Sequence, residues 1–270
     1  MSAKINARDG FGAGRAADRP GMLRAMLKLL LLLANAAKLG PLLKTGGTMI
    51  VSIGAYALLF GWWYAVGFVL LLLVHELGHY VAARRLGLNV GAPTFIPFVG
   101  AWIELKEQPL SVEQEAHIAF AGPFVGTIAA TLVLWLAGST DSRLLLAIAY
   151  AGFFINLFNL VPITPFDGGR IVALLSPRIW FLGAPLLAAI FYFIPSPMFL
   201  LILVLLLPTI WSALRSAWRG EAPAGRPRYY DAAPEARVRY ALYYLLLLAY
   251  LCIMTYRTHG MLRSQLSSAA

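Results

Sequence analysis

A single cysteine, Cys252, stands in 270 residues. It excludes an intramolecular disulfide framework and a Cys-rich zinc site. Charge is scarce too: 13% of residues are Asp, Glu, Lys or Arg, against about 25% in an ordinary soluble domain. Acids are the scarcer sign, 12 against 22 basic residues, for a net charge of +10. Apolar residues fill the difference. The chain is 60% hydrophobic, with mean hydropathy +0.74, where about 45–50% apolar is usual. This balance excludes a large soluble domain and indicates a polytopic membrane protein in a lipid bilayer. In such a protein Lys and Arg collect in cytoplasmic loops, so the basic balance calls for no nucleic-acid partner.

The chain divides by composition. Residues 1–22 are rich in Gly, Ala, Arg and Asp without periodicity and read as a disordered tail. Residues 23–45 combine a short Leu run with Lys28, Lys38 and Lys44. They read as an amphipathic helix lying on anionic lipid, with a retained first membrane helix as the alternative. A core at 46–175 is followed by further membrane helices at 176–257 and a tail at 258–270. Apolar runs place spans near 46–60, 62–86, 114–137, 143–161, 179–194, 197–217 and 237–256. Between the second and third, Gly91, Pro93, Pro97 and Gly100 exclude a regular helix. Thr94-Phe95-Ile96 and Val99 to Leu105 have β-branched and aromatic character there, which predicts a small β-hairpin. The expected fold class is therefore all-α and polytopic, with six to seven transmembrane helices and a short membrane-associated hairpin. With the N-terminus inside and the spans alternating, 19 of the 22 basic residues fall inside. That asymmetry places the N-terminus and the C-terminal end of the second span in the cytoplasm.

That end carries His75-Glu76-Leu77-Gly78-His79. Histidines four apart on a helix share a face and can share a metal, with a glutamate beside them. The run before them is apolar, so a solvated helix face does not explain the motif. Ionisable groups in a membrane segment mark function. Asp167 is a further ionisable group close to an apolar segment, just past the fourth span. It follows Pro162-Ile163-Thr164-Pro165, which cannot continue a helix. Irregular backbone at membrane depth lines a protein-enclosed or watery cavity, so Asp167 can turn inward as a third ligand. Gly168-Gly169 then gives the chain freedom to turn. Three protein ligands leave a fourth zinc position for water, and Glu76 can serve as general base. Gly122-x-x-x-Gly126 reads as helix packing. His117 reads as an interfacial histidine. Asn156 and Asn159 read as packing groups, one of which could bond substrate backbone or a developing oxyanion.

With these residues in hand, the chain resembles the site-2 protease family of intramembrane metalloproteases, in its compact bacterial form without PDZ or CBS domain. The likeness rests on His75-Glu76-Leu77-Gly78-His79, the Gly122–Gly126 segment and Asn159-Leu-Val-Pro-Ile-Thr-Pro-Phe-Asp167-Gly-Gly. The resemblance implies one Zn²⁺ held by His75, His79 and Asp167, a catalytic Glu76, and Asn159 in contact with substrate. It implies transmembrane proteins or peptides as substrates. A strand near the site, in the region of Phe95 and Ile96, would pair with an unwound substrate. A catalytically silent membrane scaffold and a metal-coupled transporter are the rival readings.

Overall fold

The structure is a computed structural model that describes residues 40, 43–98, 100–103, 106–107, 109–193, 195, 197–223 and 226–267. The expected tail at 1–22 and nearly all of the expected interfacial helix at 23–45 lie outside the described residues.

Helix α1, Leu43–Phe60, stops at Gly61. The φ of +84° there suits glycine and no L residue with a side chain. Helix α2, Trp62–Arg85, begins at once and carries the histidine motif through its last turns. Arg84 and Arg85 close it, where cations favour a helix C-terminus. Strands β1, Thr94–Ile96, and β2, Gly100–Trp102, pair antiparallel with Phe95 opposite Ala101. The hairpin is thus present, and shorter than the 94–105 stretch that its composition marks out.

Helix α3, Val112–Thr140, opens with the Ser111 hydroxyl accepting from Gln114 N–H and with Glu113 and Glu115 in its first turn. Helix α4, Arg143–Asn159, opens with Ser142 in the same capping role. Helix α5, Asp167–Ala173, is short. Helices α6, Trp180–Phe193, α7, Pro197–Arg219, and α8, Pro234–Ser267, complete the chain. Helix α8 continues through residues read from sequence as a tail. By length and composition, α1, α2, α3 and α8 can each cross a membrane, while α4 and residues 177–193 are shorter apolar helices. The protein is a multi-pass membrane protein. Large apolar side chains such as Leu58, Trp63, Trp135 and Leu246 point outward, as a lipid-facing surface requires.

Helix α3 is the central element. It packs against α2, α4 and α5, and α4 packs in turn on α8. Small residues let the backbones close up: a side chain on Gly78 would meet the Ala121 carbonyl, and one on Gly152 would meet Leu71 and Ala130. A second, smaller core joins α1, α2 and the hairpin around Tyr56, Ala65, Val69, Leu72 and Phe95. Hydrogen bonds fix the hairpin to α1: Thr45 Oγ1 donates to the Pro93 carbonyl, Phe95 N–H to Thr48 Oγ1, and Phe98 N–H to Tyr56 OH.

Helix α4 has 17 residues, about 26 Å of rise against a hydrocarbon core of about 30 Å. The chain leaves the helix early, and the backbone of 160–166 must find partners within the protein. Tyr244 OH donates to the Leu160 carbonyl at 2.7 Å. Ile163 N–H and Phe166 N–H close local turns onto Val161 and Ile163. The α5 backbone presses onto this turn. A Cβ on Gly168 would overlap the Leu160 carbonyl, and one on Gly169 would overlap Ile163. The two glycines lie inside a helix and provide close approach. The turning freedom expected of them is not what they supply.

Candidate functional site

Helix α2 places His75 and His79 one turn apart on the face toward α3 and α4. Helix α5 begins at Asp167 and brings its carboxylate between them. His75 Nε2 lies 3.1 Å from His79 Nε2, and each stands 3.2 Å from Asp167 Oδ2. All three residues are buried, and they form a group able to hold a metal ion.

The tautomers follow from the other ring nitrogens. His79 Nδ1 lies 2.8 Å from the Ile118 carbonyl, which can only accept, so that nitrogen carries the proton. Asn156 Nδ2 donates to the Gly152 carbonyl at 2.7 Å, which turns Asn156 Oδ1 toward His75 Nδ1 at 2.8 Å. His75 Nδ1 therefore donates as well. Both Nε2 lone pairs then point at each other and at a carboxylate oxygen. Three electron-rich atoms at such distances repel unless a cation sits among them. Ligands about 2.05 Å from zinc at tetrahedral angles stand about 3.3 Å apart. The nearly equilateral triangle fits that ion.

The glycines of α3 make this orientation possible. A Cβ on Gly122 would overlap the His79 ring, and one on Gly126 would overlap the Asn156 amide. Helix packing was the reading of Gly122-x-x-x-Gly126 from sequence. The segment also vacates space for two specific side chains. Ile118, about one turn before Gly122, supplies the carbonyl that holds His79. Asn156 is the residue that sequence reasoning left undecided. The available signal was an apolar stretch interrupted by two amides, Asn156 and Asn159, since a buried amide needs partners. Asn156→Ala is expected to lower metal affinity by roughly 10- to 100-fold, the usual cost of losing a partner that orients a ligand. Competition with a chromophoric chelator measures it. Unchanged affinity would mean that the His75 orientation is set elsewhere.

Glu76 is buried at 7% exposure and lines the same cavity as the triad, a space of about 560 Å³. Asn159 lines it too. Phe95 does not: at 2% exposure its side chain belongs to the core beneath the hairpin. Ile96 is half-buried and likewise outside the cavity wall, whereas Gly100 and Ala101 of β2 line it. Because Phe95 N–H points to Thr48, away from β2, the Phe95–Ala101 pair is of the non-hydrogen-bonded type. The Ala101 N–H and C=O then also point away from β1, on the open edge of the hairpin.

Arg170, one turn after Asp167, lines the cavity as well and pairs with Glu115 of α3 at 3.0 Å. Tyr229 OH donates to the other Glu115 oxygen. Burial, followed by the neighbouring Glu115 charge, pushes the Tyr229 hydroxyl far up, so it stays a donor. This chain of contacts ties α5 to the start of α3 through residues 55 and 114 positions apart, and no spacing in the sequence announces it. His117 takes no part in the triad; its Nδ1 bonds Tyr240 OH at 3.0 Å.

Residues 63–142 match the family described as Peptidase family M50. The chain is 33% identical to the putative zinc metalloprotease Rip3 of Mycobacterium tuberculosis, over 45% of this chain and 34% of that protein. It is 32% identical to zinc metalloprotease MJ0392 of Methanocaldococcus jannaschii, over 47% of this chain and 39% of that one. It is 33% identical to the putative zinc metalloprotease MJ0611 of the same organism, over 44% of this chain and 73% of that protein. Against the first of these relatives the chain spans about a third of the length. A solved site-2 protease from Methanocaldococcus jannaschii aligns with TM-score 0.41 and 22% identity, over 65% of this chain and 87% of that one. By these sequence matches, the chain belongs to peptidase family M50, the site-2 protease family.

Proposed function

We propose that the chain is a zinc endopeptidase that hydrolyses peptide bonds in or beside membrane-spanning segments of other proteins. The single observation that carries this reading is the triangle of His75, His79 and Asp167 donor atoms, buried beside Glu76 in an apolar helix bundle. These three residues hold one zinc ion per chain. When bound, zinc polarises a water and lowers its pKa to about 7.

Glu76 takes a proton from the attacking water and passes it to the leaving amine. Asn159, in the cavity wall, donates to substrate backbone. Arg170 adds fixed positive charge behind Asp167 and is itself held by Glu115. A substrate helix must unwind before it is cut, because its carbonyls are otherwise hydrogen-bonded and inaccessible. The open edge of β2 supports a place for the unwound strand: Ala101 can pair with it by β-augmentation. The pairing role expected at Phe95 and Ile96 moves to β2. The count of basic residues supports a cytoplasmic N-terminus and a cytoplasmic active-site end.

A silent scaffold has no use for two imidazoles oriented by Asn156 and Ile118 toward a buried carboxylate. A transporter requires no glutamate beside a metal triad. Reconstitution in proteoliposomes with a single-span test protein decides among the three. The endopeptidase reading expects cleavage within or next to the span, lost on chelation and restored by Zn²⁺. Ion flux without cleavage supports the transporter, and neither activity supports the scaffold.

A further inference from the structure

The cavity at the triad does not end there. On α2, Tyr64, Phe68, Leu72 and Glu76 stand at successive intervals of four and form one stripe along the cavity wall. On α4, Tyr150, Phe154 and Phe158 form a second stripe along the same cavity. Tyr64 lies about 18 Å from Glu76 along the helix, more than half the thickness of a hydrocarbon core. Each stripe is stacked along its own helix. Tyr64 and Phe68 have ring centroids 6.1 Å apart and planes 8° apart. Phe154 and Phe158 stand at 6.4 Å and 17°.

An aromatic stripe at helical spacing usually packs into a core. These rings also border a cavity: Phe68 and Phe158 touch the core with one side, yet Tyr64, Phe68, Tyr150 and Phe158 are only half-buried, and Phe154 is 39% exposed. Stacking holds each ring in place without filling the space between the helices. The result is a rigid apolar cleft that leads along the helices to Glu76 and meets the open edge of β2.

We propose that this cleft is a subsite for the apolar flank of the substrate span, which lies in it as an extended chain of about five residues. The inference rests on the endopeptidase reading. Continuity with the triad selects the occupant, since a chain paired with Ala101 and cut beside Glu76 must continue along one of the walls. The apolar lining admits Leu- and Val-type residues and disfavours charge by desolvation. The subsite reads hydrophobicity over several residues remote from the cut bond, so it sets which spans are accepted and how far into them the cut falls.

The test uses the full chain carrying Glu76→Gln in nanodiscs, with two fluorescent Leu/Val peptides of about six and about twelve residues. The longer peptide is expected to bind about tenfold more tightly, the size of effect that an aromatic anchor produces. Adding Tyr64→Ala and Phe154→Ala together is expected to bring the ratio of affinities close to one. Leu132→Ala, on the outer face of α3, keeps the ratio and controls for partition into lipid. Equal binding of the two peptides overturns the subsite and leaves the cleft to lipid chains; so does a ratio that survives the two cleft substitutions. Length-dependent binding that depends on Tyr64 and Phe154, in a protein whose wild type cuts nothing, upholds the subsite and defeats the endopeptidase reading alone.

Discussion

Glu76→Gln is expected to keep the fold and the bound metal while lowering the cleavage rate by roughly 10²- to 10⁴-fold. The amide matches the carboxylate in shape, so the 7% exposed position is still filled and the cavity wall is unchanged. What is lost is the ability to accept a proton from water and return it to the leaving amine. Neither histidine can replace it: each commits one ring nitrogen to Ile118 or Asn156 and aims the other at the metal position. Single-turnover cleavage in proteoliposomes, with metal content measured on the same sample, separates the two effects. A rate near that of the wild type would remove Glu76 from the chemistry. A joint loss of metal and rate would make it a structural group.

Asp167→Ala is expected to lower metal affinity by more than about a hundredfold, beyond the cost of losing an orienting partner. Activity goes with it. The triangle loses one corner, and the remaining ligands are two imidazoles one turn apart, a pair that a surface helix can also offer. A stability measurement gives an independent reading. A ligand at a hundred times its Kd stabilises the folded state by about 2.7 kcal/mol. Chelation should therefore lower the melting temperature of the wild type and leave that of the variant unmoved. A chelator-sensitive melting temperature in Asp167→Ala would show that the metal sits elsewhere.

Both predictions concern residues that the sequence marks by itself. His75, Glu76 and His79 are legible because their spacing matches a helical turn and their setting is apolar. Asp167 is legible as an ionisable group placed just after a run that prolines end. The break at Gly61, the hairpin and the order of the helices are legible too, because local backbone chemistry sets them.

The parts that were not legible share a different origin. Gly122 and Gly126 look like any pair of small residues in a membrane helix; only the packing of α3 against α2 and α4 sets the His79 ring beside one and the Asn156 amide beside the other. Gly168 and Gly169 look like a flexible joint, and turn out to be a contact surface against Leu160 and Ile163. The hairpin strand that faces the site could not be chosen from composition, since Phe95 and Ala101 are both apolar. Side-chain burial beneath α1 decides it, together with the Thr48 hydroxyl that takes the Phe95 N–H.

By itself, then, the sequence determined the class of protein and marked His75, His79 and Asp167 as candidate metal donors and Glu76 as the candidate base, because each mark depends on residue type, helical period or a local break. The tertiary structure alone decided how those groups are aimed: the tautomers of both histidines, the open strand edge, the Arg170–Glu115–Tyr229 support and the aromatic cleft. Orientation arises where three or more elements meet, and contacts between segments far apart in the chain leave no periodic trace along it.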